Sequence, residues 1–179
     1  SDGVIVERGK FLGSIPRHLR HTLTDRASWE AYYKPRLRAD DPLRLASGPA
    51  WEMQLAEWLR PDREYPLFIE GGSLYGVARN WFGLEGISQI MYDDRDLFEE
   101  VVATLADVIV AVLEHTLSAG VRPEAASMWE DMCFSGGPLM SPKIFKEVLV
   151  PHYQRITGTL NRYGVDIIFL DCDGKIDAL

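Results

Sequence analysis

The chain has 179 residues, enough for one domain with a sizeable core, and its 46% hydrophobic and 26% charged content is typical of folded globular proteins. A net charge of −8 and a pI near 5.0 argue against a general nucleic-acid surface. Two cysteines are too few for a disulfide framework and no apolar run approaches the roughly 20 residues that cross a bilayer, so we predict a cytoplasmic protein without nucleic-acid or membrane partners.

We predict a single domain over residues 1–179, in which residues 1–64 form an N-terminal arm and helices. The stretch 3–20 begins with β-forming residues and contains glycines for a turn, which favours a hairpin or an extended arm. Ser28 is a candidate N-cap for a short helix that begins at Trp29. Helical spacing returns over residues 51–59.

From residue 65 onward, strands and helices alternate as β/α units. The predicted strands are 65–69, 125–129 and 165–170, and the predicted helices are 73–82, a long one after Asp93-Asp94, and 141–163 with a kink or break at Pro151. The last strand is nearly continuous in apolar residues, which predicts burial on both faces. This order is typical of a parallel sheet with right-handed crossovers, either a barrel or a doubly wound sheet.

Both architectures place ligands at the carboxyl ends of their strands. Three such ends are visible: Glu70-Gly71-Gly72-Ser73, Trp129-Glu130-Asp131 and Asp171-Cys172-Asp173-Gly174. If the strand geometry continues, Asp171 and Asp173 point the same way, and such a pair can bind a hard cation or hold a raised pKa. The alternative is that one of them caps the next helix while the other faces solvent.

Glu130 and Asp131 follow a strand and precede a glycine loop, so either could be a general acid or base or a hydrogen-bond acceptor for substrate. The alternative is that one of these carboxylates pairs with an arginine. The glycines of Gly71-Gly72-Ser73 could present backbone N–H groups to a carboxylate or phosphate, although a tight turn explains them equally well. Tyr75 and Arg79 follow on the first turns of the next helix, within reach of the same pocket.

Several of these residues together resemble one known family. The chain is similar to the uroporphyrinogen decarboxylase-like family in the run Trp129-Glu130-Asp131-Met132, in the turn Gly136-Gly137-Pro138-Leu139-Met140-Ser141-Pro142, and in Phe145 and Pro151-His152-Tyr153 after it. Asp171-Cys172-Asp173-Gly174 falls where members have a His-x-Cys-Gly or His-x-Asp-Gly turn. The resemblance implies a (β/α)8 TIM barrel, of which this chain would be an incomplete part, with the site in its C-terminal mouth.

The resemblance implies two activities. Decarboxylases of the family remove carboxyl groups from a tetrapyrrole without a cofactor, whereas methyltransferase relatives use zinc to activate a thiol and take the methyl group from a corrinoid protein. Here Asp171 and Asp173 stand where the zinc motif has histidine and cysteine, and aspartates favour harder ions. Arg79 stands about where the decarboxylase has a tyrosine.

We therefore predict a family enzyme of the methyltransferase type that moves a methyl group between a small substrate and a corrinoid protein or thiol. The alternatives are a uroporphyrinogen decarboxylase and a non-catalytic barrel that binds a corrinoid or porphyrin. The predicted catalytic residues are Glu130, Asp131, Asp171 and Asp173, with Asp171 and Asp173 as metal ligands if a divalent metal such as zinc is used; a decarboxylase would need none. The predicted substrate-binding residues are Gly71, Gly72, Tyr75, Arg79 and Trp129.

Overall fold

The computed structural model describes residues 3–7 and 16–179, so the predicted turn of the N-terminal hairpin lies outside the described residues. The strands are β1 Val4–Glu7, β2 Arg17–His21, β3 Phe68–Glu70, β4 Ala125–Trp129, β5 Cys133–Phe134, β6 Gly137–Pro138 and β7 Ile168–Asp171. The α-helices are α1 Arg26–Ser28, α2 Pro49–Trp58, α3 Tyr75–Asp93, α4 Arg95–Ser118, α5 Pro142–Ile144 and α6 Val150–Arg162, with π-helical turns at Trp29–Tyr33 and Phe145–Leu149 and a 3₁₀ turn at Lys34–Arg36.

The N-terminal part contains the predicted hairpin, since β1 pairs antiparallel with β2. The short helix that follows starts earlier than its sequence indicates. Asp25 caps α1 by accepting the N–H of Ser28 (2.7 Å), and the Ser28 hydroxyl accepts the N–H of Asp25 (3.0 Å). The prediction of Ser28 as the N-cap is therefore wrong, because this serine is the third helical residue of a capping box that Asp25 opens.

A three-stranded parallel sheet in the order β3-β4-β7 forms the centre of the second part. Alternate residues of each strand point to opposite faces. One face carries Ile69, Ala126, Met128 and Ile168, which pack into the hydrophobic core with α3, α4 and α6. The strands, helices and parallel pairing confirm a mixed α/β fold, while the described residues form an open sheet and no closed barrel.

The second face of the sheet is open. The prediction that both faces of the last strand are buried is wrong, because Phe169 on this open face is 55% exposed. Leu170, which lies opposite Met128 on the other face, is also 39% exposed. The physical reason is that β7 is an edge strand in the described chain and no layer covers the face that carries Phe169. Phe68 of β3 is also exposed there, and its ring centre lies 6.3 Å from that of Phe169.

Glycine and proline set the helix boundaries around this sheet. Gly83 interrupts α3 with φ 78° and ψ 164°, which confirms the predicted stop there, but a second helical stretch then runs to Asp93. Asp94 caps α4 by accepting the N–H of Leu97 (3.0 Å), as predicted. At Pro151 the helix changes from a π-helical turn to α6, whose first turn tolerates the missing N–H.

Among the described residues, no helix combines the length and the apolar character that spanning a bilayer requires.

Candidate functional site

The carboxyl ends of β3, β4 and β7 meet at one edge of the sheet. Trp129 lies opposite Asp171 in the pairing of β4 with β7, and Glu70 lies opposite Ser127 in the pairing of β3 with β4. Glu70, Trp129 and Asp171 therefore share the open face of the sheet. We call this group, together with Asp173, the strand-end edge. Glu70, Asp171 and Asp173 are exposed there, and no cationic side chain pairs with them among the residues that the structure describes.

Glu130 points away from this edge into the protein and is fully buried. Its carboxylate accepts hydrogen bonds from the N–H groups of Leu74 (2.8 Å) and Gly76 (2.9 Å) and from the hydroxyl of Ser73 (3.3 Å). These donors lie at the start of α3, where the helix dipole favours a negative charge. Glu130 therefore joins β4 to α3, and the catalytic role predicted for it stays a prediction.

The pKa of Glu130 reflects two opposing effects. Burial raises it, because a charged carboxylate loses hydration inside the protein. The N–H groups of Leu74 and Gly76 act in the opposite direction, because they stabilise the ionised form. Burial is the larger effect, so the pKa lies above its ordinary value.

In the glycine turn before α3, the N–H groups donate to acceptors of the same chain. The N–H of Gly71 donates to the carbonyl of Ser127 (2.6 Å), and the N–H of Gly72 donates to Oε1 of Glu70 (3.3 Å). A Cβ at Gly72 would come within 2.5 Å of Ile109. The N–H groups of Leu74 and Gly76, at the start of α3, bind a carboxylate instead, and that carboxylate belongs to Glu130 of the same chain. Substrate contact by Gly71 and Gly72 stays a prediction.

Four residues form a cluster at this edge of the sheet: Arg79, Trp129, Asp131 and Asp173. Nη1 of Arg79 donates to the carbonyl of Asp131 (2.7 Å), and its Nη2 pairs with Oδ2 of Asp131 (3.4 Å). The guanidinium carbon lies 5.5 Å from the centre of the Trp129 ring, in cation–π contact. The N–H of Asp173 donates to Oδ1 of Asp131 (3.3 Å). Asp131 thus follows the alternative reading, in which a carboxylate pairs with an arginine.

The backbone of Asp131 is strained. Its φ of 45° lies in the left-handed region, and no other non-glycine residue in the described part of the chain has a positive φ. This conformation costs roughly 1–2 kcal/mol, and it persists because contacts on both sides hold the residue. Such strain is common at functional sites.

Two tyrosines, the buried Tyr75 and the half-buried Tyr153, lie near Glu130. Tyr75 is fully buried, its hydroxyl has no hydrogen-bond partner among the described residues, and burial raises its pKa to about 12. Burial, and then the nearby Glu130 carboxylate, raise the pKa of Tyr153 well above its ordinary value. The sequence by itself predicts no role for Tyr153, although Pro151-His152-Tyr153 is one of the motifs that carry the family resemblance.

The two cysteine side chains are neighbours. Burial, and then the adjacent Cys172, raise the pKa of Cys133 to about 11. The backbones around them are joined on both sides, since the N–H of Glu130 donates to Asp171 (2.9 Å) and the N–H of Lys175 donates to Phe134 (3.0 Å). Both thiols are free. Sequence reasoning missed this contact, because it is created by the parallel pairing of β4 with β7.

The predicted metal ligands Asp171 and Asp173 lack further ligands around them in the described part of the chain. Within residues 3–7 and 16–179, no group of three or more histidine, cysteine, aspartate or glutamate residues is arranged to hold a metal ion. Asp131, the carboxylate next to Asp173, already pairs with Arg79. The residues present therefore do not by themselves form a zinc site, and metal binding by Asp171 and Asp173 stays a prediction.

Comparison with known proteins identifies one family. The model of the uroporphyrinogen decarboxylase (URO-D) family matches residues 63–178, which include the sheet, α3 to α6 and every residue of the strand-end edge. The search of curated proteins found no match.

Proposed function

Because the chain belongs to the uroporphyrinogen decarboxylase family, we propose that it is a methyltransferase-type enzyme of that family. In this proposal it moves a methyl group between a small substrate and a corrinoid protein or a thiol. The substrate lies at the strand-end edge, over Trp129 and beside Asp171.

The charge of the strand-end edge is the observation that carries this proposal. Glu70, Asp171 and Asp173 are exposed without a cationic partner in the described part of the chain, and the charge of Arg79 is neutralised by Asp131. A tetrapyrrole with many carboxylates would add negative charge to this edge, which Coulomb repulsion disfavours. A neutral or cationic methyl-bearing substrate meets no such repulsion.

The residues of the edge have distinct roles in this proposal. Asp171 and Asp173 orient the methyl-bearing substrate and accept the proton of an incoming thiol. The sulfur then forms a bond to the methyl carbon, and the bond from that carbon to its donor breaks with the electron pair staying on the donor. Arg79 and Asp131 fix the backbone between β4 and the substrate, while Glu130 holds α3 in place.

The proposal is tested by assaying both reactions with the full-length protein. Methyl transfer from methylcobalamin to 2-mercaptoethanol, a neutral thiol, is followed by the cobalamin absorbance, and uroporphyrinogen turnover is followed by chromatography of the products. Asp171→Asn should lower the methyl-transfer rate by roughly tenfold or more, as expected for a general base. Asp166→Asn is the matched control, because Asp166 is an exposed carboxylate just before the other end of β7.

Two results would overturn the proposal. Turnover of uroporphyrinogen without methyl transfer would assign the chain to the decarboxylase activity. Tight binding of cobalamin without turnover, unaffected by Asp171→Asn, would identify a binding barrel instead of an enzyme.

A further inference from the structure

A cavity of about 760 Å³ lies away from the strand-end edge. Its walls come from Gly3, β2 and Thr22, from the segment 32–44 and from α3. They include Arg20, Arg36, Arg44, Tyr32, Tyr33 and Trp81. Of these six residues, only Trp81 falls within the stretch 63–178 that matches the family. The site described above therefore does not account for this cavity.

The first observation concerns charge. Among the described residues, nine arginines pair with a carboxylate: Arg17, Arg26, Arg38, Arg60, Arg63, Arg79, Arg95, Arg155 and Arg162. Four described arginines have no such pair, and three of them, Arg20, Arg36 and Arg44, line this cavity. In a chain with a net charge of −8, three arginines without carboxylates around one cavity form a local cationic site.

The second observation concerns an unsatisfied donor. Nη2 of Arg44 donates to the carbonyl of Arg36, so the Arg44 side chain is held in place within the cavity wall. Its Nε is buried and has no hydrogen-bond partner among the described residues. Guanidinium groups bind carboxylates and phosphates through their N–H donors, and Nη1 of Arg44, which has no hydrogen-bond partner among the described residues, is left to bind such an anion in the cavity.

The third observation concerns shape. The rings of Tyr33 and Trp81 have centres 5.0 Å apart with an interplanar angle of 49°, and Tyr32 adds a third ring that is 62% exposed. The hydroxyl of Tyr33 lies 2.6 Å from Oγ1 of Thr22, which fixes the ring against the hairpin. Aromatic walls of this kind stack on planar groups, and arginines beside them bind the charged substituents.

We infer that this cavity binds a small anionic ligand with a planar ring and two or more carboxylate or phosphate groups. The inference does not depend on the proposed methyl transfer. Arg79, which contacts Trp129 of the strand-end edge, and Trp81 of the cavity are two residues apart on α3. Because each residue turns an α-helix by about 100°, they point to different sides of it.

A fluorescent probe tests the inference with the full-length protein. Pyranine is a planar pyrene with three sulfonate groups, and its binding is measured by fluorescence anisotropy. Inorganic pyrophosphate and benzene-1,3,5-tricarboxylate then compete separately with the probe, and displacement at the lower concentration identifies the preferred anionic group. We expect binding to weaken as salt rises, because the attraction is electrostatic.

Two variants and one control locate the binding site. Arg20→Gln and Arg44→Gln should each raise the Kd for pyranine at least tenfold. Arg20 is the safer variant for folding, because it is exposed and its side chain has no hydrogen bond or ion pair within the described residues. Arg38→Gln is the matched control, since this arginine pairs with Asp40 at the surface of the same segment, and it should change the Kd less than twofold.

The inference is overturned if the wild-type protein fails to bind pyranine, pyrophosphate and the tricarboxylate, or if Arg20→Gln binds pyranine as tightly as Arg38→Gln does. Neither result bears on methyl transfer, so the two proposals can fail separately.

Discussion

The buried carboxylate of Glu130 allows a direct test of structural against catalytic function. Replacement by methionine keeps the length of the side chain and removes both acceptor oxygens. The N–H groups of Leu74 and Gly76 would then be buried without acceptors. Replacement by glutamine keeps one acceptor oxygen, and its NH₂ group faces the second N–H.

The magnitude follows from the number of donors left unsatisfied. Each buried N–H without an acceptor costs about 1–3 kcal/mol. For Glu130→Met the two N–H groups together cost about 2–6 kcal/mol, and burial of the apolar side chain offsets part of this, which leaves about 3 kcal/mol. For Glu130→Gln one N–H is lost while the penalty for burying a charge disappears, so about 1–2 kcal/mol is expected. Either loss is large beside a typical total stability of roughly 5–15 kcal/mol.

The assay is urea denaturation at pH 7, followed by circular dichroism and tryptophan fluorescence. Glu70→Gln is the matched control, because Glu70 ends the neighbouring strand in an exposed position, and it should change the free energy of unfolding by less than about 0.5 kcal/mol. A stability equal to that of the wild type in Glu130→Met, with methyl transfer abolished, would refute the structural role and support a catalytic one.

Three further predictions concern other parts of the molecule. Hydrogen bonds from Lys34, and then from Trp29 and Arg26, hold the pKa of Glu100 at about 2, below its ordinary value of 4.5. The folded state therefore binds fewer protons than the unfolded state between these pH values. The stabilisation by ionised Glu100 is present above pH 4.5 and is lost as the pH falls towards 2. Glu100→Gln should therefore lower the free energy of unfolding by about 1–2 kcal/mol at pH 7 and by nearly nothing at pH 2, as urea titrations can measure. The control Glu99→Gln, at an exposed ion pair, should lower it by less than about 0.5 kcal/mol. Asp131→Ala should lower the free energy of unfolding by about 2 kcal/mol, whereas Asp131→Asn should lower it by less than about 1 kcal/mol, because asparagine tolerates a positive φ. Equal losses of the two variants in denaturation curves would contradict this account of the strain. Burial raises the pKa of Cys133 from 9.0 to about 11. Iodoacetamide should therefore label this thiol at least about 100-fold more slowly in the folded protein at pH 7 than in urea, which mass spectrometry can measure. Similar labelling rates in the two states would show that the thiol is accessible.

Local sequence signals predicted most of the elements of the second part. The strand Ala125–Trp129, the cap at Asp94 and the stop at Gly83 follow from the residues at those positions and are confirmed. The start of α1 was missed because aspartate and serine are both good N-caps, and only the geometry shows that Asp25 holds the cap while Ser28 completes the capping box.

The sequence likewise predicted only part of the candidate site. Sequence position placed Trp129, Glu130, Asp131 and Asp171 at strand ends, because polar residues follow directly on apolar runs there. It could not predict that Glu130 is buried while its neighbour Asp131 is only half-buried, because the backbone after the end of a strand can turn either side chain towards the core. The ion pair of Asp131 with Arg79 also had to come from the structure, because 52 positions separate the two residues.

By itself, the sequence determined the family, the α/β class, the parallel order of strands and helices, and the position of polar residues at the strand ends, because each depends on local patterns or on motifs of consecutive residues. Only the tertiary structure decided which carboxylates are buried, which are paired and which face solvent. It also decided that three arginines from two separate segments line one cavity. The physical reason is that hydrogen bonds, ion pairs and desolvation depend on distances between residues far apart in the chain, and packing alone sets those distances.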